Sequence, residues 1–384
     1  MLSGAIWLEC NESSGAHLSD RAPRRLIVVA PDMFDAFGGI ARIARATALA
    51  LSHLASDRLG LSVHVLHDSG KHRDARYLSE ADSYTAHRGN RVSLAGAILS
   101  EVLSRPCGLV LFCHVNLSTL SLVFPRSLPR IIVAHGIEVW EPLPRHRNAA
   151  LRRATKVLAV SEYTRDRLID VQNIQSERTA VLYNCIDPFL GSPVPGLEDA
   201  DNPFFLCVSR LDASDVYKGV DLLIRAFGRA APFIPGWSLT IAGTGSDAAR
   251  LRAVAARSPA RIGFVGAVAD EELRDLYSHC SAFVMPSRKE GFGLAFLEAM
   301  SMGKPVIAAA AGGVPEVVLD GVTGVLLRDS DIDALADLLA TLAKDPALRR
   351  RLGEAGRERC VGKFTFAEYE RRLQSEVRRV ISTR

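Results

Sequence analysis

A chain of 384 residues is too long for one ordinary hydrophobic core, since single cores stop growing near ~250 residues, and two domains of comparable size are expected. With 48% hydrophobic and 23% charged residues and no low-complexity tract, it reads as globular and not disordered. The net charge of +4 lies in the first half, where residues 1–187 hold 22 Lys and Arg against 18 Asp and Glu while 188–384 hold 25 of each; so small an excess, with no nucleic-acid module beside it, argues against nucleic acid as a partner.

The first half alternates β-branched runs with helix-period segments. Runs at 25–30 (RLIVVA), 61–67, 108–113 (GLVLFC), 130–134 and 157–160 read as strands, with helices from about Gly39 to Ala55, from about Leu143 and after Ser161. Short apolar strands separated by helices imply a parallel sheet covered on both faces. The stretch DPFLGSPVPGLEDADNP at 187–203 breaks the pattern and reads as a linker. The alternation then restarts, with strands at 204–209, 238–242, 261–264, 282–285 and 306–309 and helices from Val220, Asp247, Glu271, Leu294 and Asp331. The expected architecture is α/β, with two doubly wound Rossmann-like domains facing across a cleft. The first domain spans 1–187, the linker 188–203 and the second domain 204–365, and the amphipathic segment 366–384 crosses back to the first.

Seven cysteines are scattered without C-x-x-C pairs or metal-ligand spacing and read as reduced core residues. No apolar run reaches ~18 residues, and the first twenty residues carry Glu9, Glu12 and Asp20 in place of a basic start and apolar stretch. The expectation is a cytoplasmic protein, neither secreted nor membrane-spanning.

The strongest chemical signal is EGFGLAFLE at 290–298, preceded by the strand-like AFVMPS. In a strand, loop and helix, Gly291 and Gly293 let backbone approach a ligand, and Leu294 opens the helix. The exposed amides at that helix start then offer an anion site. Helical side chains tilt toward the N-terminus, so Glu298, one turn in, points back at the same ligand as Glu290. Carboxylates flanking a phosphate meet hydroxyl donors best, which fits a sugar at Glu290 and a ribose at Glu298. The bland alternative is a turn with a solvated glutamate at each end. The second signal is Arg210, leaving a strand end, with Lys218 at a helix start; both cations suit a diphosphate leaving group. Their bland alternative is a surface arginine and a snorkelling lysine.

Together these motifs resemble glycosyltransferase family 4 with the GT-B fold, over residues 25 to about 340. Also in keeping with the family are Gly38-Gly39, HGIEVW at 135–140, VSEYT at 160–164, Asn184, AGTG at 242–245, FVG at 264–266 and GGVPE at 312–316. The resemblance implies that Arg210 and Lys218 grip the donor diphosphate, Glu290 the transferred sugar, Glu298 the ribose, and the amides of Phe292, Gly293 and Leu294 the sugar and phosphate. Gly38 and Gly39 close on the diphosphate, Gly243 joins the donor site, the stretch from Gly266 to Val268 contacts the base, and His135 faces the sugar. It further implies retention of configuration by front-side attack, with no cofactor and no metal. A covalent role for Glu290 is the minority alternative. The sequence departs from the common pattern at Ser209, where glycine is frequent, and in a longer loop at 212–217.

Asp331-Ile332-Asp333 has the spacing of a metal-binding D-x-D, but it opens a helix, where Asp serves as a cap. Basic residues at 145–156, with Arg42 and Arg45, form either a solvated face or a seat for an anionic lipid surface or lipid-pyrophosphate acceptor. The resemblance favours the seat, because sequences like HGIEVW look most like enzymes that mannosylate lipid-linked acceptors. The expected partners are a nucleotide-sugar donor, GDP-mannose first and UDP-sugars second, a lipid-linked or glycan acceptor, and peripherally the inner membrane face. A nucleotide-sugar epimerase of the same fold is the alternative from another reaction class, and the E-x7-E loop argues against it.

Overall fold

The computed structural model describes residues 24–36, 38–55, 59–190, 202–328 and 331–382. The expected linker falls largely at 191–201 and Cys10 at the start of the chain, both outside the described residues.

The first sheet has seven strands: β1 (Arg24–Ala30), β2 (Leu59–Val65), β3 (Ser83–Ala86), β4 (Cys107–Phe112), β5 (Arg130–Ala134), β6 (Lys156–Ala159) and β7 (Thr179–Val181). The second has six: β8 (Phe204–Val208), β9 (Ser238–Ala242), β10 (Ile262–Gly266), β11 (Ala282–Met285), β12 (Val306–Ala309) and β13 (Val325–Leu327). Every named strand pair is parallel. The orders are β3-β2-β1-β4-β5-β6-β7 and β10-β9-β8-β11-β12-β13. In each sheet the order reverses once, between β1 and β4 and between β8 and β11, and ligand crevices form beyond the carboxyl ends at such switch points. The loops that leave β8 and β11 carry Arg210, Lys218 and Glu290.

The central strands are the apolar runs legible in the sequence. β3 (SYTA), β7 and β13 are three- or four-residue edge strands, too short to show a period, and the helix Arg91–Ser104 between β3 and β4 was likewise not anticipated. That helix starts at Asn90, whose side chain accepts from the amides of Val92 and Ser93, as an N-cap should.

The last helix, Phe366–Ser382, packs on the helix Gly39–Ser52 of the first domain. Its apolar stripe of Tyr369, Leu373, Val377 and Val380 is buried in a cluster that runs into both domains. Polar bonds fix its register: the Tyr369 hydroxyl lies 2.7 Å from Thr47 Oγ1, and the Gln374 amide donates to the Ala50 carbonyl at 2.8 Å. Truncating a buried leucine costs about 2–5 kcal/mol through lost transfer energy and the cavity left behind. Leu373→Ala is therefore expected to lower stability by about that amount in urea unfolding; a change under about 0.5 kcal/mol would mean the helix does not bind the first domain in solution.

Candidate active site

Four loops meet where the two sheets face each other. Backbone meets backbone there: a Cβ on Gly136 would lie 2.5 Å from Gly291 Cα, and one on Gly291 would lie 1.8 Å from the His135 carbonyl oxygen. A second contact joins Gly39 to Leu294, where a Cβ on the glycine would come within 2.9 Å of the leucine Cδ1. Farther out, Glu316 accepts from the amides of Glu162 and Tyr163 at 2.8 and 2.9 Å, placing a carboxylate on the N-terminus of the facing helix Glu162–Asp170.

Gly293 has φ +95° and caps the helix Leu294–Ser301, a conformation that L side chains adopt only with strain. That turn sets the amides of Gly293 and Leu294 at the helix start. Phe292 points inward, against Tyr183 and Phe364, so only its backbone remains for a ligand. Glu290 ends the loop beside Lys218, with Oε2 2.6 Å from Nζ. The pair joins the carboxylate assigned to the sugar with a cation assigned to the diphosphate. Lys218 closes the 3-10 turn Ala213–Lys218, immediately before the helix Val220–Ala230. Arg210 stands apart, 66% exposed, with its guanidinium 2.7 Å from Asp215.

His135 donates from Nε2 to the Cys113 carbonyl at 2.6 Å, which fixes the tautomer and leaves Nδ1 as the acceptor. Its ring stacks on His114 at 5.7 Å between centroids. The His114 Nδ1 accepts the Asn116 amide at 3.0 Å. Burial above all, opposed by Glu138 and reinforced by His135 and Arg147, pushes His114 down to about 4, so it is neutral near pH 7.

Glu298 lies differently from the sequence expectation of a carboxylate open to a ribose. Its side chain is only 6% exposed; Oε1 is ion-paired to Arg42, and Oε2 accepts the Tyr277 hydroxyl at 2.8 Å. Burial and this carboxylate raise Tyr277 well above the ordinary phenol range, which keeps it a donor. Arg42 also reaches Asp270 at 2.8 Å. A carboxylate has about four acceptor lobes, so two remain for hydroxyls. Arg42 and Arg45 are accordingly not part of a solvated basic face: both are buried and pair with Asp270 across the cleft. Gly243 packs under Ser209, whose carbonyl oxygen a Cβ would meet at 1.8 Å, and donates its amide to the Gly266 carbonyl at 2.7 Å. Gly266 ends β10 and Val268 follows it, just before the helix that opens with Asp270, and Gly38 precedes the helix of Arg42.

Sequence reasoning missed Asp68, Arg42 as an ion-pair partner, Asp215, Tyr277 and His114. Asp68 is fully buried and accepts the amides of Met33, Phe34 and Asp35, which pins the loop leading to Gly38. Arg42 had a signal: three residues after Gly39 on one helix, it shares the glycine's face. Asp331 caps its helix by accepting the Asp333 amide at 2.9 Å, and Asp333 pairs with Arg229. Among the described residues no three His, Cys, Asp or Glu cluster as metal ligands.

Comparison with known proteins agrees with this arrangement. Residues 37–189 match the family described as Glycosyltransferase Family 4, and residues 193–359 match Glycosyl transferases group 1. The chain is 34% identical over 256 residues to the GDP-mannose-dependent alpha-(1-6)-phosphatidylinositol monomannoside mannosyltransferase of Mycolicibacterium smegmatis, covering 60% of this chain and 66% of that one. The alpha-maltose-1-phosphate synthase of the same organism is 28% identical over 344 residues, covering 79% and 87%. Among solved structures, the sucrose-phosphate synthase of Thermosynechococcus elongatus superposes with a TM-score of 0.79 at 21% identity, over 94% of this chain and all of that one. Anabaena HepE in complex with UDP and glucose gives 0.76 at 20%, over 92% and 99%. The protein is a glycosyltransferase of the GT-B fold. It belongs to glycosyltransferase family 4.

The glycine contact predicts a defined failure. Gly291→Ala leaves each domain folded but holds the cleft apart, because the new methyl overlaps the His135 carbonyl. Small-angle scattering should show a larger radius of gyration with an unchanged circular dichroism spectrum, and transferase activity should fall at least about 100-fold, as expected when reacting groups are misplaced by an ångström. A variant of parental size and activity would mean that the two loops do not meet in the working enzyme.

Proposed function

We propose that the enzyme transfers a hexose from a nucleotide-diphosphate sugar to a lipid-linked or glycan acceptor, with retention of configuration and without a metal ion. GDP-mannose is the favoured donor. The observation that carries this reading is the Lys218–Glu290 pair at 2.6 Å beside the start of the helix Leu294–Ser301, which combines phosphate-binding and hydroxyl-binding groups in one place. As the glycosidic bond breaks, charge grows on the diphosphate; Lys218, Arg210 and the helix amides neutralise it, and groups so placed lower the barrier by about 3–4 kcal/mol each. Glu290 accepts from sugar hydroxyls, and His135 Nδ1 accepts from another. The acceptor hydroxyl attacks the face the diphosphate leaves, and a phosphate oxygen takes its proton. No protein nucleophile is needed.

GDP-mannose is supported by the Mycolicibacterium smegmatis relative, a GDP-mannose-dependent mannosyltransferase, and UDP-sugars are the second reading because the Anabaena structure holds UDP. A thermal-shift screen of nucleotide sugars separates them, since a donor at 100 times its Kd adds about 2.7 kcal/mol of stability. Arg210→Ala and Glu298→Gln should each weaken nucleotide-diphosphate binding about 10–100-fold by calorimetry, as loss of a charge-assisted bond does. Turnover should survive EDTA. Activity that returns only on adding Mn²⁺ or Mg²⁺ would contradict the metal-free reading.

A peripheral membrane seat is proposed on the first domain. On the helix Arg145–Arg153, Arg145, Arg152 and Arg153 are exposed, and Arg153 donates to the Leu122 carbonyl at 3.1 Å, next to the 68%-exposed Val123. An apolar tip rimmed by arginines suits an anionic surface, at about 1 kcal/mol per basic residue, screened by salt. Arg147 is half-buried on the His114 side and contributes less. No helix among the described residues is long and apolar enough to cross a membrane. Replacing Arg145, Arg152 and Arg153 by glutamine should reduce co-sedimentation with anionic liposomes and make the remainder less salt-sensitive, with donor affinity unchanged. Equal sedimentation of parent and variant would leave a transferase for soluble acceptors.

A further inference from the structure

The loop at 212–217, longer than its function as a connector needs, carries a buried acid that none of the assigned roles uses. Asp215 is 7% exposed, yet it lies beside the groups assigned to a dianionic ligand, where a negative charge by itself would repel that ligand. Its carboxylate lies 2.7 Å from Arg210 NH2, while the rest of that guanidinium stays exposed. Burial above all, and then this acid, push the Tyr217 phenol up to about 12, so it remains protonated. The face of the Tyr217 ring, in turn, has the Lys218 ammonium 5.6 Å from its centroid. The loop itself is anchored: the Asp215 amide donates to the Asp212 carbonyl at 2.8 Å, Asp212 accepts from the Ser246 amide at 3.0 Å, and the Arg288 amide donates to the Tyr217 carbonyl at 2.8 Å.

We propose that Asp215 is the positioning residue of the exposed diphosphate cation, aiming Arg210. An exposed arginine has many rotamers, and fixing it costs entropy that the ligand would otherwise have to supply. Asp215 holds one edge of the planar fork and leaves the remaining N–H groups directed at a phosphate. The carboxylate acts on the phosphates alone and not on the base or ribose.

The proposal rests on the donor-site reading above, and the experiment separates the two. GDP, UDP, guanosine and uridine are titrated calorimetrically into the parent, Asp215→Asn, Asp215→Ala, Arg210→Ala and the Arg210→Ala/Asp215→Asn double variant. Asp215→Asn preserves shape, and Asp215→Ala removes the buried polar group altogether, so one remains informative if the other fails to fold. Asp215→Asn and Asp215→Ala should each lose about 10–100-fold in affinity for the preferred diphosphate, with nucleoside affinity unchanged. In the Arg210→Ala background, Asp215→Asn should cost much less, since the two act through one contact. Equal loss for nucleotide and nucleoside, parental nucleotide affinity in Asp215→Asn, or full additivity with Arg210→Ala would overturn the positioning role. Parental affinity for both nucleotides in Arg210→Ala would overturn the donor-site reading itself, and the role of Asp215 with it.

Discussion

The site depends on a place where the two domains meet without side chains. Gly136 ends the turn after β5 and Gly291 lies in the loop after β11, and their backbones touch. That approach brings His135 from one sheet beside Glu290 from the other. A methyl group on either glycine would wedge the loops apart and carry His135 away from Glu290 and Lys218. The requirement is geometric, because neither glycine contributes a functional group.

Close approach also explains why the charged groups come in pairs. An ionised group shut away from water without a partner costs several kcal/mol, so acids and bases at a closing cleft must neutralise one another. Glu290 has Lys218, Glu298 has Arg42 and Tyr277, and the buried Asp215 has the exposed Arg210. A sugar nucleotide brings both hydroxyl donors and phosphate acceptors. It can therefore insert between a carboxylate and its cation and satisfy both, exchanging one set of hydrogen bonds for another at little net cost. A purely anionic or purely neutral ligand would leave one member of each pair unmatched.

The alternation of apolar strands and helices was legible because central parallel strands are buried on both faces and read as unbroken apolar runs. Edge strands such as β3 and β13 lack that signal. In the site, Glu290 and Lys218 could be recognised because each lies in a loop leaving a strand's carboxyl end, a local feature. The partner of Glu298 could not: Arg42 is 256 residues away, and no periodicity links positions so remote. The charge of Arg42 and Arg45 was legible, while their burial against Asp270 was not, so they read as surface.

The two sides of the cleft differ in chemistry, and this sets how it can open. On the far side the chain crosses between domains through apolar packing: Tyr369, Leu373 and Val377 are buried near the helix Gly39–Ser52, and the Ile186 amide donates to the Phe364 carbonyl at 3.0 Å. Separating that side exposes apolar area at about 25 cal/mol per Å², with no compensation from solvent. On the ligand side the contacts are the Glu316 carboxylate on two amides, the Arg42 ion pairs and bare glycine backbone. Water replaces each of these polar bonds at a net cost of about 0.5–1.5 kcal/mol, and somewhat more where charge is involved. A separation of the domains would therefore start on the polar side and leave them joined at the last helix. It would uncover Glu298, because Arg42 lies on the helix Gly39–Ser52 of the first domain.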